Sequence, residues 1–221
     1  MTVQQQTAEL PAQRRGHRWS AATYDVLIGP GERRLFSKVR SRLLDDLSGR
    51  VLEVGAGTGL NFPHYAAAVH IVSTEPDPFM RERAQRRAIA CGREDIEVHD
   101  ASVERLPFDD ASFDHVVATL VFCTVPDAAR GLAEIRRVLR PGGTIRFLEH
   151  VRNDESRFWG GFQDRIVSPW RWVGAGCNPN RRTQQAIERA GFGFDWIERA
   201  DTWFGKIYGV ARPTDQVSER A

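Results

Sequence analysis

The run Arg50-Val51-Leu52-Glu53-Val54-Gly55-Ala56-Gly57-Thr58-Gly59 decides the fold. Its first half is rich in branched apolar side chains, as in a strand buried on both faces. Its glycines form a turn in which the backbone can approach a ligand closely. Leu60 to Ala68 is compatible with a helix leaving that turn. A strand that passes through a glycine turn into a helix opens a nucleotide-binding α/β unit. The spacing here is G-x-G-x-G, which departs from the G-x-G-x-x-G of dinucleotide folds. The turn also has no lysine and no G-K-[ST] ending to cradle a triphosphate. A tight turn that merely needs positive φ would carry the same glycines, so the ligand has to be argued from their surroundings.

Upstream, Leu35, Phe36, Val39, Leu43, Leu44 and Leu47 follow helical spacing between Glu32 and Leu47. Arg33, Arg34, Lys38, Arg40 and Arg42 are assigned to an exposed basic face of that helix. Downstream, Ile71 to Glu75 is β-rich, Pro78 to Cys91 helical, and Ile96 to Asp100, Val116 to Val121 and Thr144 to Leu148 are further strands. A helix from Asp127 to Leu139 separates the last two; Pro126 suits its first turn and Pro141-Gly142-Gly143 stops it. Asn178 to Ala190 suits a helix, and Phe194 to Glu198 and Lys206 to Ala211 could pair antiparallel at the sheet's edge. The alternation predicts an α/β fold: a single Rossmann-like, doubly wound sheet, mostly parallel, with an antiparallel C-terminal edge hairpin and helices on both faces. Residues 1–18, polar and then basic at Arg14, Arg15, His17 and Arg18, suit a flexible N-terminal tail, which leaves 19–221 as one domain.

Composition bounds the rest. A chain of 221 residues fits one domain, and 41% hydrophobic residues suffice for a core. With 31 basic against 29 acidic residues, the net charge of +2 gives no general attraction to nucleic acid or to an anionic membrane. Met1 to Gln13 lacks the apolar core of a signal peptide, and no run approaches the roughly 18 apolar residues of a spanning helix. Cys91, Cys123 and Cys177 form no C-x-x-C pair, so neither a metal site nor a disulfide framework is suggested and a cytoplasmic location is expected.

Glu53, Glu75 and Asp100 fall at or near the C-terminal ends of successive strands, where open α/β sheets bind ligands. Glu75 follows the glycine turn by about 20 residues, the place where a carboxylate accepts the hydroxyls of a ribose. An acidic crescent suits a cation. S-adenosylmethionine carries a sulfonium and an ammonium without phosphate, and its hydroxyls and adenine amine donate hydrogen bonds that carboxylates accept. Strand-end acids merely solvated at the rim are the plainer alternative.

With these residues in place, Glu53 to Gly59 resembles the first motif of class I S-adenosylmethionine-dependent methyltransferases. Asp100-Ala101 with Leu106-Pro107-Phe108 resembles their adenine-side segment, and Arg136 to Gly143 the stretch before their fifth strand. The resemblance covers roughly residues 50–150 and implies S-adenosyl-L-methionine as cofactor. It implies that Gly55, Gly57 and Gly59 face the methionine half, Glu75 the ribose, Asp100 and Ala101 the adenine, and Thr119 or Leu120 the methionine end, with Glu53 and Ala56 also binding the cofactor. Tyr24-Asp25 resembles the pair that quinone C-methyltransferases place over the cofactor. A narrower resemblance, carried by Thr119-Leu120-Val121-Phe122-Cys123, Phe147-Leu148-Glu149-His150-Val151 and Gly176-Cys177-Asn178, is to the methyltransferase-like thiol S-methyltransferases. The hydrophobic N-terminal anchor of the animal members has no counterpart here, which puts membrane attachment in doubt.

Methyl transfer from a sulfonium chiefly needs the acceptor atom held in line at about 3–3.5 Å. A thiol or carbon acceptor must also lose a proton, and His150, just past the fifth strand, is the candidate base, with a hydrogen-bonded loop support as its alternative role. Glu149 could be a cofactor-side or a structural carboxylate; Cys123 and Cys177 could be reactive, but with no metal spacing and no triad they suit small core residues. Phe158, Trp159, Phe162, Ile166, Val167, Pro169, Trp170 and Trp172, interspersed with Arg157, Arg165 and Arg171, form a lid-like insert near 155–177. Tyr24, Phe158, Trp159 and Phe162 are its candidate acceptor contacts, unless the insert simply packs or rests on lipid. The expected acceptor is a small lipophilic molecule, a thiol first, with C-methylation of a quinone precursor or N-methylation of a phospholipid head group as alternatives. A non-catalytic cofactor sensor or scaffold is the alternative outside enzymology. No nucleic-acid partner is expected, peripheral membrane contact stays open, and oligomeric state is not legible.

Overall fold

The computed structural model describes residues 30–173, 176–200 and 205–214. In chain order these form α1 (Pro30–Leu44), β1 (Arg50–Val54), a 3₁₀ turn (Phe62–His64), β2 (His70–Thr74), α2 (Pro78–Ala90), β3 (Glu97–His99) and β4 (Phe113–Thr119). There follow α3 (Ala128–Val138), β5 (Leu139–His150), α4 (Arg157–Val173), α5 (Thr183–Arg189), β6 (Phe192–Ala200) and β7 (Lys206–Pro213). The expected tail and Tyr24-Asp25 lie outside the described residues.

The strands form a seven-stranded sheet in the order β3-β2-β1-β4-β5-β7-β6. It is parallel from β3 to β5, and β7 pairs antiparallel with both β5 and β6. The period-two alternation of strand side chains divides the core into two layers. Leu52 and Val54 of β1 point with Val116 and Ala118 toward Leu132, Ile135 and Val138 of α3 and Ile187 of α5. Val51, Ile71 and Val117 point the other way, toward Phe36, Val39, Leu43 and Leu44 of α1 and Ala84 and Ala88 of α2. The fold is the expected Rossmann-like sheet with helices on both faces.

Three local expectations change. The stretch Leu60 to Ala68 holds a single 3₁₀ turn instead of a helix. Its buried anchors, Phe62 and Tyr65, are three residues apart, the repeat of a 3₁₀ turn, and Tyr65 is already extended. The helix expected from Asn178 begins at Thr183, because the Asn178 amide and side chain are both spent on the Cys123 carbonyl, at 2.7 and 3.0 Å. Arg40, assigned to an exposed face, is 6% exposed; it shares the Phe36–Leu43 stripe that packs inward.

The register aligns Val54 with Thr74 and Ala118, so the C-terminal ends of β1, β2 and β4 meet at one rim. Asp77 caps α2 from that rim by accepting from Phe79 and Met80 at 2.8 and 3.1 Å, with Pro78 in the first turn. Among the described residues no helix is long and apolar enough to cross a membrane.

Two glycines test this packing with opposite signs. A methyl at Gly209, in β7, would lie 2.4 Å from the Trp196 carbonyl oxygen of β6, whereas one at Gly161, inside α4, meets nothing within 4 Å. Gly209→Ala should cost about 1–3 kcal/mol and Gly161→Ala should stabilise by about 0.5–1 kcal/mol, read from urea unfolding midpoints at unchanged slope.

Candidate active site

At the common rim of β1, β2 and β4 lies a cleft of about 200 Å³. Its walls are the turn after β1 (Gly55 to Thr58), the exit of β2 (Glu75 to Asp77), Ser102 and Val103 beyond β3, and the exit of β4 (Thr119 to Val121). Within the glycine turn the roles differ. A side chain at Gly55 would strike Val121 at 2.9 Å and one at Gly59 would strike the Phe62 ring at 2.7 Å, so packing requires both. Gly57 has φ +58, its missing Cβ would meet no protein atom within 4 Å, and its residue lines the cleft. That glycine leaves room for a ligand against bare backbone.

The electrostatics are set by two buried carboxylates. Glu53, 2% exposed at the end of β1, accepts from Asn61 Nδ2 and from the Tyr65 hydroxyl, each at 2.9 Å. Burial pushes its pKa up to about 7 against the pull of those two donors and of Arg40. Asn61 Nδ2 also donates to Thr119 Oγ1 at 2.6 Å, and Asn61 Oδ1 accepts from the Arg40 guanidinium. One amide therefore joins α1, the 3₁₀ turn, β1 and β4 beneath the cleft. Glu75 accepts from the Gly57 and Asp77 amides at 2.7 and 2.8 Å; burial raises its pKa, and those amides oppose the rise.

The far wall is held by Glu149, fully buried in β5, whose carboxylate accepts from the amides of Val121, Phe122 and Cys123 at 2.7, 2.9 and 3.2 Å. These bonds fix the loop after β4, in which Leu120 adopts φ +59 while its amide donates to Leu148 at 2.7 Å. A left-handed leucine costs about 1–2 kcal/mol, so the surrounding bonds must hold it there.

Of the residues singled out from sequence, Glu53, Gly55, Ala56, Gly57, Glu75, Thr119 and Leu120 line the cleft. Gly59 sits behind it against Phe62. The Asp100 side chain is 59% exposed and ion-paired with Arg81 at 3.1 Å; Ala101 is buried, and neither lines the wall, which is made there by Ser102 and Val103. His150 does not line it either: its Nδ1 is 3.6 Å from Cys177 Sγ. On α4, Phe158 and Phe162 are exposed and edge-stacked on Trp159, and none of the three is among the lining residues; Tyr24 lies outside the described residues.

Sequence reasoning missed Arg40, Asn61, Asp77, Met80, Ser102 and Thr124 as lining residues. For Arg40 a signal was present, since it falls in the apolar stripe at four residues from Phe36 and three from Leu43. Cys123 and Cys177, taken as separate core residues, meet beside His150. Beside Cys123 and His150 the Cys177 thiol is held below the usual thiol range despite burial, while the Cys123 thiol is driven up.

A cleft with two buried carboxylates, a bare glycine wall and, among the described residues, no lysine and one arginine that is tied to Asn61 fits a ligand that is cationic and lacks phosphate. S-adenosylmethionine meets that description.

Comparison with known proteins agrees. Residues 52–147 match the family described as "Methyltransferase domain". The chain is 33% identical over 182 residues to human thiol S-methyltransferase TMT1A, covering 76% of this chain and 70% of that protein. It is 35% identical over 153 residues to a phosphatidylethanolamine N-methyltransferase of Cereibacter sphaeroides, covering 66% of this chain and 72% of the relative. The crystal structure of a SAM-dependent methyltransferase from Aquifex aeolicus superposes with TM-score 0.64 at 17% identity, over 86% of this chain and 97% of that one, a likeness of fold.

Removing the central amide tests the network beneath the cleft. Asn61→Ala strips a donor from Glu53 and an acceptor from Arg40, and should lower unfolding free energy by about 1–3 kcal/mol in chemical denaturation. An unchanged midpoint would show that water replaces the amide without loss.

Proposed function

The chain belongs to the class I S-adenosylmethionine-dependent methyltransferases, and on that premise we propose that it methylates the sulfur of a small lipophilic thiol, with the cleft at the rim of β1, β2 and β4 as its cofactor site. The observation that carries the cofactor site is the pairing of Gly57, open to the cleft, with the buried carboxylates Glu53 and Glu75. The similarity to a thiol S-methyltransferase over most of both chains supports the acceptor.

In this reading Glu75, oriented by the Gly57 and Asp77 amides, offers its remaining lone pairs to the ribose hydroxyls. Glu53 supplies negative charge under the cationic half, and Leu120 and Thr119 close that end. Ser102 and Val103 take the adenine side that sequence had assigned to Asp100 and Ala101. The bound cofactor supplies an already activated methyl group, so the protein's task is to align the acceptor and exclude water. A thiol reacts as its thiolate. Among the described residues that line the cleft there is no histidine or lysine, so we assign the loss of the proton to the acceptor's own ionisation instead of to His150.

Two measurements test this. A cationic ligand favours ionised Glu53, so binding near neutrality releases a proton and affinity should rise from about pH 6 to about pH 7.5, by at most about tenfold per pH unit. Calorimetry in buffers of differing ionisation enthalpy reads this directly, and Glu53→Gln should abolish both the proton release and the slope. Affinity independent of pH in the parent protein removes Glu53 from the site.

Methyl transfer to a panel of thiols, a demethylated quinol and vesicles containing phosphatidylethanolamine decides the acceptor. Thiol turnover that climbs with pH toward each thiol's own pKa is the expected result. Transfer only to the vesicles would favour the second reading, head-group N-methylation, which the bacterial relative and the exposed Phe158 and Phe162 support.

A further inference from the structure

Cys123, His150 and Cys177 come from three separate segments: the loop after β4, the end of β5 and the chain before α5. No spacing in the sequence links them, yet their two sulfurs and one imidazole nitrogen lie within 4.8 Å of one another. Cys177 Sγ and His150 Nδ1 are 3.6 Å apart. A tetrahedral zinc ion, with Zn–S near 2.3 Å and Zn–N near 2.0–2.1 Å, sets its sulfur and nitrogen ligands about 3.5 Å apart. The separation present already matches that edge of the tetrahedron.

The backbones that carry these side chains are held independently of the cluster. Glu149 accepts the Cys123 amide at 3.2 Å, the Cys123 carbonyl takes both donors of Asn178, and Arg181 donates to the Phe122 carbonyl at 2.6 Å. Thr183 donates to the His150 carbonyl at 3.3 Å, and Gln163 of α4 bridges the Val151 and Pro179 carbonyls at 3.1 and 3.0 Å. The ligands therefore need little reorganisation, and outer contacts of this kind hold ligands in orientation at metal sites. Both cysteines are buried and His150 is partly exposed, which leaves a way in.

We propose that Cys123, His150 and Cys177 form a binding site for one zinc ion. Two thiolates and an imidazole select a borderline-soft divalent cation over calcium or magnesium, which require oxygen ligands. Binding forms two Zn–S bonds and one Zn–N bond, and the thiol protons leave to solvent. Three protein ligands leave the fourth position to water or to a small external thiol. The ion ties the loop whose Leu120, Val121 and Thr124 line the cleft to the end of β5 and to the segment before α5, so it braces the cleft wall from behind. The site does not depend on which acceptor the enzyme uses.

The test uses the full chain, reduced and stripped with a chelator, then titrated with zinc against a chromophoric competitor and separately with cobalt. One equivalent is expected per chain, with thiolate-to-cobalt charge-transfer bands and the strong d–d absorption of tetrahedral cobalt. Cys123→Ala and Cys177→Ser should abolish these bands and weaken zinc by more than the roughly 10–100-fold that loss of an outer contact costs. Cys91→Ser, remote from the cluster, should change neither. X-ray absorption of the zinc-loaded parent protein needs no variant to fold, and should give two sulfurs and an imidazole nitrogen around the metal. No stoichiometric uptake, a shell of oxygen and nitrogen alone, or cobalt bands that survive loss of both cysteines would each overturn the proposal, as would isolation of a Cys123–Cys177 disulfide that forms in preference to metal uptake.

Discussion

A carboxylate with almost no water around it organises this structure. Glu53 lies near the end of β1, an interior strand of the sheet, and the free energy of burying it is tolerable only while donors reach both of its oxygens. Asn61 and Tyr65 provide them, which is why the chain after the glycine turn closes into one tight turn instead of running on as a helix. Asn61 is in turn held by Arg40 and Thr119, so α1 and β4 are positioned by the same requirement that gives Glu53 its donors. The cleft is thus the visible side of a polar network buried in an otherwise apolar core, and its charge is part of the reason the surrounding elements meet as they do.

How much of this was legible in the sequence follows from how local each cause is. The strands declare themselves by unbroken branched apolar runs, and the capped helices by Asp77-Pro78 and Asp127, because burial on both faces and unpaired helix amides act within a few residues. That Glu53, Gly55, Gly57 and Glu75 gather at one cleft was legible because strand ends in a parallel sheet share one rim. The 3₁₀ turn was hidden, since the demand that shapes it comes from a carboxylate on another element. The ion pair of Asp100 was not legible: it sits at the expected strand end, and Arg81 of α2, on another element, reaches it. Arg40 showed only as an anomaly in an apolar stripe, and the gathering of Cys123, His150 and Cys177 depends on three chain crossings that no spacing encodes.

The loop after β4 has two faces. Leu120, Val121 and Thr124 turn one toward the cleft, while Cys123 and the Phe122 and Cys123 carbonyls turn the other toward β5 and the segment before α5. Leu120 sits in a backbone conformation that leucine resists, and Glu149 restrains the three residues after it. Rigidity at that wall is therefore imposed from the side away from the ligand, so a substitution that never touches the cleft can still move it.

The placement of β7 has a consequence for synthesis. The strand lies between β5 and β6, although it follows both in the chain. While a nascent chain leaves the ribosome, the outer edge of β5, with its fully buried Phe147 and Leu148, stays without a partner until Lys206 to Ala211 has emerged. Such an edge is a template for pairing with a neighbouring chain. Completion of the sheet therefore waits on β7, and a polypeptide interrupted after β6 keeps the parallel half of the sheet with the border of β5 open.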